Sequence, residues 1–497
     1  MHLLVHVAFV VTSNAKVLVS KTAYPHLKDA QIVELHVHQN VASKPNETLP
    51  PDILRGFVVG PKTGPVYLLL GGITTNAGTF HETAKALASK GARVYAINPI
   101  YQGAGIIKSE PHKDRKENQL HYNLFKMTEH IYEILPKISA ANQNKPINVV
   151  AHSLQGIVMR MALLGLSFDK HSNFVEHPDK QELIQRHLES LTLYFTPSFE
   201  SLKDLKANIM NMMKIEADLF LLVDAVPKYY EVRQHLLALS QMQQSQSYDK
   251  FEKVTSEMWN DIQTLTQTYR HGGFITNSIH KTGALFLRQV VFGLIDSTFY
   301  NQVSTSKDLA RFQNDISYFL QNYDLERSFL EAEEKLLVPT LKKLNRVPLF
   351  KLIGNFGQGF MNIDTMNSKQ IIEFLRATMS EEVHIGIRDH ILKIAKSGQL
   401  TSIYTQESLA FDITQLYLKR MTEKPELLRK VVYYADLNDP LAPGKKIIKE
   451  AKTLSTPYLI NDCGHCGAAN PRSAEVMTSR LLQTRKQVIA AQCLNLF

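Results

Sequence analysis

The chain has 497 residues, 44% of them hydrophobic and 21% charged, with 23 glycines and 20 prolines. Such a composition excludes a disordered or collagen-like chain and supplies enough apolar surface for a large core. The net charge of +9 is spread thinly, with no long basic run, so it marks solubility rather than a nucleic-acid footprint.

Three cysteines (Cys463, Cys466 and Cys493) are too few for a disulfide framework. The longest apolar stretch, Gly283–Ile295, is broken by Arg288 and is too short to span a membrane. Leu3–Val11 reads equally as a short signal, with Ser13-Asn14-Ala15 as its cleavage site, or as a first strand. The length predicts more than one unit. The texture divides it into residues 1–200, 201–425 and 426–497.

In chain order, the apolar run Pro65–Leu70 is a buried strand that ends in Gly71-Gly72. A helical pattern follows over 80–88 and stops at Gly91; Ala92–Ile97 is the next strand. Leu120–Ile138 is a helix, Ile147–Val150 a strand, Ile157–Leu166 a helix and Leu191–Phe195 a strand. This alternation predicts a doubly wound, mostly parallel sheet. From about 200 to 425 the apolar residues recur at helical spacing, with an exposed polar patch at Gln241–Gln246, which predicts a helical block. Strand texture returns at Lys430–Ala435 and Thr456–Ile460, and a closing helix runs over Ser473–Ala491.

Four segments carry chemistry. In Asn148-Val149-Val150-Ala151-His152-Ser153-Leu154-Gln155-Gly156-Ile157-Val158-Met159-Arg160 a strand runs into a helix through a turn with one serine between small residues. That is a nucleophile elbow, and the start of the helix favours developing negative charge there. Leu69-Leu70-Gly71-Gly72-Ile73-Thr74 is a second strand-ending turn. Tyr433-Tyr434-Ala435-Asp436-Leu437-Asn438-Asp439-Pro440-Leu441-Ala442-Pro443 places acids just past a strand. Asn461-Asp462-Cys463-Gly464-His465-Cys466-Gly467 carries a histidine past the last strand. Its C-x-x-C spacing lacks both a thioredoxin-like context and a second ligand pair for zinc, so two packed thiols are the simpler reading.

The elbow and its companions resemble the α/β-hydrolase superfamily, and within it the lipases and esterases, over roughly residues 50–200 and 425–497. The resemblance implies an α/β-hydrolase fold with a large helical cap or insertion, since Ser153 and Asp439 lie 286 positions apart. It implies Ser153 as nucleophile, His465 as general base and Asp439 as its acid, in the order Ser, Asp, His. Asp436, Glu200 and Asp204 are alternative acids. The backbone N–H groups of Ile73 and Leu154 would form the oxyanion hole. Two positions depart from the family pattern: Gly71 stands in place of a histidine, and Gln155 in place of the second elbow glycine, where a side chain could crowd the turn.

The expected activity is hydrolysis of carboxylic esters, with a lipid or long-chain acyl ester as substrate and no cofactor, metal or nucleic acid. Gly283–Ile295 and Leu349–Met361 could line an acyl channel, touch a membrane surface or simply form the core of the cap. A hydrolase-like binding protein without activity, a thioesterase and an acyltransferase are the alternatives. Compartment and oligomeric state are left open by the sequence.

Overall fold

The apolar runs that the sequence marks as buried strands form the middle of one sheet. The computed structural model describes residues 15–18, 29–37, 51–72, 76–99, 124–168, 174–201, 308–322, 333–339, 366–379, 401–439, 441–461, 464–465 and 467–494, with scattered residues between 203 and 342. The first strand expected at Leu3–Val11, the polar patch of Gln241, Gln243, Gln244 and Gln246, and Gly283–Ile295 and Leu349–Met361 lie outside this set.

In sequence order the strands are β1 (Ala15–Leu18), β2 (Gln31–Val37), β3 (Asp52–Val59), β4 (Val66–Leu70), β5 (Arg93–Ile97), β6 (Ile147–His152), β7 (Leu166–Phe168), β8 (Phe174–Glu176), β9 (Leu188–Tyr194), β10 (Val431–Asp436) and β11 (Tyr458–Asn461). Nine of them form a single sheet in the order β1-β2-β3-β5-β4-β6-β9-β10-β11; β7 and β8 pair separately. From β5 to β11 every pairing is parallel, whereas β1, β2, β3 and β5 pair antiparallel. Every residue of β4, β5 and β6 is buried, as parallel strands covered on both faces require.

The antiparallel strands were not marked by the sequence because their apolar runs are interrupted. Glu34 on β2 and Arg55 on β3 stand opposite each other and form a cross-strand ion pair at 2.7 Å. The strand pair therefore carries charge where a run-based reading looks for apolar residues.

The helices are α1 (His81–Ser89), α2 (Leu124–Ala141), α3 (Leu154–Leu163), α4 (Pro178–His187), α5 (Leu309–Asn322), α6 (Ser368–Met379), α7 (Thr401–Glu423), α8 (Gly444–Thr453) and α9 (Pro471–Leu494). Helix α3 starts three residues before the sequence reading, immediately after Ser153, because the elbow is one residue long. Residue Leu166, expected at the end of that helix, begins β7 instead. Pro178 opens α4 at its first turn, where a missing N–H costs nothing.

Helices α1 and α9 pack together on one side of the sheet, while α2, α3 and α4 pack together on the other. Between β9 and β10 the described elements are helical, and α7, the last long one, packs against α3 before the chain re-enters the sheet beside β9. Helix α6 packs against the short turn Ala77–Phe80 that follows the Gly71-Gly72 loop. Among the described residues no helix is long and apolar enough to cross a membrane.

Candidate active site

Parallel strands all end on the same edge of the sheet, so the loops after β4, β6, β10 and β11 meet there. These are the four segments singled out in the sequence. Ser153 lies between β6 and α3 with φ 52° and ψ −118°, in the left-handed region that a non-glycine residue rarely occupies. A strained residue of this kind costs about 1–3 kcal/mol and persists only where its surroundings hold it. They do: the Ser153 N–H donates to Tyr194 C=O at 2.9 Å, extending the β6–β9 ladder into the turn, and Gly156 N–H closes back on Ser153 C=O at 3.0 Å.

Two glycines make room for this turn. A Cβ on Gly72 would come within 2.5 Å of Ser153 Cβ, and one on Gly156 within 1.8 Å of Thr196 Oγ1. The close backbone approach that the family pattern assigns to the second elbow glycine therefore falls one residue later here. Gln155 does not crowd the turn. Its side chain points to α2, with Nε2 3.4 Å from Met127 Sδ, and is 1% exposed.

The acid loop settles which carboxylate faces His465. Asp439 Oδ2 accepts from His465 Nδ1 at 2.6 Å. Its other oxygen accepts the N–H groups of Leu441 at 2.8 Å and Ala442 at 2.9 Å. Asp439 is thus at once a turn-forming residue and the histidine's partner, with three donors fixing the carboxylate's orientation. Both side chains are buried.

The alternative acids serve elsewhere. Asp436 Oδ1 accepts from Asn438 N–H and Oδ2 from Gly464 N–H, each at 2.7 Å, so it ties the acid loop to the backbone just before His465. Glu200 pairs with Lys449 at 3.0 Å, and Asp204 with Lys446. The hydrogen bond from Lys446 holds the Asp204 carboxyl below its ordinary range.

Sequence reading overlooked His152, whose only signal is its place beside the serine. Its Nδ1 accepts Gly72 N–H at 3.2 Å and its Nε2 lies 2.7 Å from His465 C=O. The two imidazole rings have centroids 4.7 Å apart. The structure thereby gathers Gly72, His152, Ser153, Asp439 and His465 at one edge. Leu154 N–H opens α3 directly after Ser153. Ile73 lies outside the described residues, as do Cys463 and Cys466. Among the described residues no three His, Cys, Asp or Glu side chains gather as a metal site would require.

A buried serine in a strained strand-to-helix turn, followed in the chain by an acid and then a histidine at the ends of later parallel strands, is the site architecture of α/β-hydrolases. With the sheet order above, the chain has the α/β-hydrolase fold. No protein-family model matches it, and no curated protein sequence matches it. Similar solved structures include an esterase from Thermogutta terrifontis, at 11% identity and TM-score 0.35 over 92% of this chain and 98% of that one. A bromoperoxidase from Bacillus anthracis gives 10% and 0.37 over 90% and 99%. A haloalkane dehalogenase variant from Bradyrhizobium elkanii gives 10% and 0.38 over 94% and 100%. A fold does not fix a reaction, so the chemistry rests on this chain's own residues.

Proposed function

We propose that the protein is a serine hydrolase acting on carboxylic esters, with a lipid or long-chain acyl ester as substrate. The observation that carries this reading is the buried Asp439–His465 contact of 2.6 Å beside a serine held at positive φ. A hydroxyl is a weak nucleophile until an adjacent base takes its proton, and an imidazole works as that base only when its other nitrogen is fixed by an acceptor. Asp439 supplies the fixing contact, which leaves His465 Nε2 for the serine.

In the proposed reaction Ser153 Oγ bonds to the ester carbonyl carbon as its proton passes to His465 Nε2. The tetrahedral oxyanion is held by Leu154 N–H and, by the family resemblance, by Ile73 N–H; removing one such donor typically costs 100- to 1000-fold in rate. The bond to the alkoxide breaks as His465 protonates it. Water then gives its proton to His465 and its oxygen to the acyl carbon, which returns Ser153 and releases the acid. The accommodation of Gln155 against Met127 supports activity, because it removes the steric objection raised by the elbow's departure from the family pattern.

The test is fluorophosphonate labelling of the whole chain beside Ser153→Ala, with and without lipid vesicles, followed by a 4-nitrophenyl ester series of increasing acyl length. Labelling of wild type that disappears in the variant, and rates that rise with chain length, are the expected results. A folded wild type that stays unlabelled under both conditions refutes the hydrolase. Rates that peak at acetate refute the long-chain substrate alone.

A further inference from the structure

His152 is fully buried at the end of β6, yet both of its ring nitrogens are engaged by backbone. Nδ1 faces an N–H, that of Gly72, and so must carry a lone pair; Nε2 faces a C=O, that of His465, and so must carry the proton. These partners assign one neutral tautomer. Phe80, Tyr194 and Phe195 surround the ring, with centroids 6.3, 5.5 and 6.5 Å away.

We infer that His152 is a positioning residue for the reaction: its Nε2–H tautomer ties the Gly71-Gly72 loop to the backbone of His465 and holds the oxyanion side and the base side of the site in register around Ser153. The inference rests on the serine-hydrolase reading above. Each of the two contacts spans separate elements, 80 residues apart for Gly72 and 313 for His465. On the other flank of His465, Gly464 N–H is held by Asp436. The base is therefore gripped at the backbone from both sides and at the ring by Asp439. Gly72 N–H is spent on His152.

The same arrangement explains why the second histidine does no harm. His465 becomes an imidazolium during turnover, and a positive His152 at 4.7 Å would oppose that. Burial, and then the charge of His465, push the His152 pKa well below its ordinary value, with the backbone bond only partly opposing them. The ring stays neutral while its neighbour takes and gives a proton.

The experiment compares wild type, His152→Phe and His152→Gln in the whole chain. Phe keeps a planar ring and removes both hydrogen bonds; Gln can donate from its amide to His465 C=O. The expected result is a kcat lowered roughly 10- to 100-fold in His152→Phe, with KM changed by less than about threefold, and a partial recovery in His152→Gln. In protein labelled with 15N-histidine, the signal missing from His152→Gln should stay that of a neutral Nε2–H ring from pH 8 to pH 5. A kcat in His152→Phe equal to wild type, or a His152 signal that titrates near pH 6.5, overturns the inference while leaving the hydrolase standing. An unlabelled wild type removes both. Should His152→Phe fail to fold by circular dichroism, the Gln variant and the titration decide.

Discussion

Two buried polar nodes straddle β10, and they are built on opposite plans. Around His465 the side chains of His152, Asp436 and Asp439 mostly grip backbone groups of loops: Gly72, Asn438, Leu441, Ala442, Gly464 and His465. Around Arg160 side chains from regular elements chiefly grip one another. Arg160 on α3 donates to Glu450 on α8 at 2.7 Å and to Thr414 on α7 at 3.3 Å, and lies 5.2 Å from the Tyr417 ring centre. Tyr433 on β10 donates to the same Glu450 oxygen at 2.8 Å. The first plan fixes where the loops at the strand ends sit; the second fixes how helices sit, including the helix that closes the long insertion. Positions three apart on one strand serve both, Tyr433 facing one node and Asp436 ending in the other.

The largest effect should separate the nodes by chemistry. Asp439→Asn keeps the size of the side chain but presents either an N–H or an uncharged oxygen to His465 Nδ1. The expected loss in kcat is about 10⁴-fold, with the melting temperature nearly unchanged. A loss below tenfold would mean that His465 takes its orientation from the backbone grip of His152 and Asp436 alone.

Breaking the other node should act on stability and spare the chemistry. Burial opposes the charge on Arg160, but Glu450, Tyr433 and Tyr417 overcome this and raise its pKa; burial also raises the pKa of Tyr417 to about 12. Arg160 Nε and Glu450 Oε2 have no hydrogen-bond partner among the described residues, so the ion pair is only partly compensated. Glu450→Ala strands a buried guanidinium and should cost about 3–5 kcal/mol in urea unfolding. Replacing both partners, as Arg160→Met with Glu450→Leu, should recover most of that. Equal losses in the single and double variants would show that the node's value lies in the pair itself.

The two nodes also differed in how much of them the sequence disclosed. Ser153, Asp439 and His465 were legible because each sits just past an apolar strand, and such strands are recognisable one at a time. The middle strands of the sheet were legible for the same reason. The contacts of His152 and Asp436 were not, because each depends on a backbone group brought up by a distant loop. The Arg160 node was invisible altogether: its partner Glu450 lies 290 residues away in an ordinary amphipathic helix. The antiparallel strands β2 and β3 escaped because their pairing carries the Glu34–Arg55 ion pair.

A smaller effect probes the His465 node through pH. His152 is held neutral when folded but has an ordinary pKa, near 6.5, when unfolded. Below that pH the unfolded chain binds the extra proton, so stability is fully present above about pH 6.5 and falls by about 1.4 kcal/mol per pH unit beneath it, down to the lowered folded pKa. Denaturant midpoints at pH 7.5, 6.0 and 5.0 should therefore fall less steeply in His152→Gln than in wild type. Parallel slopes would place the acid sensitivity on other groups.

The smallest effect lies on α3 itself, between the nodes. The family pattern has glycine where this chain has Gln155, and the sequence alone suggests that restoring it would relieve the elbow. The structure reverses that expectation. The constraint sits on Gly156, whose added Cβ would strike Thr196, whereas Gln155 fills space beside Met127. Gln155→Gly should thus leave the labelling rate of Ser153 unchanged and cost about 1 kcal/mol, the usual penalty of glycine inside a helix. Gly156→Ala should do the opposite: overpacking against Thr196 distorts the turn, lowering both stability, by about 1–3 kcal/mol, and the labelling rate. Faster labelling in Gln155→Gly would mean that the glutamine does restrain the nucleophile, and the assignment of the close approach to Gly156 would have to be given up.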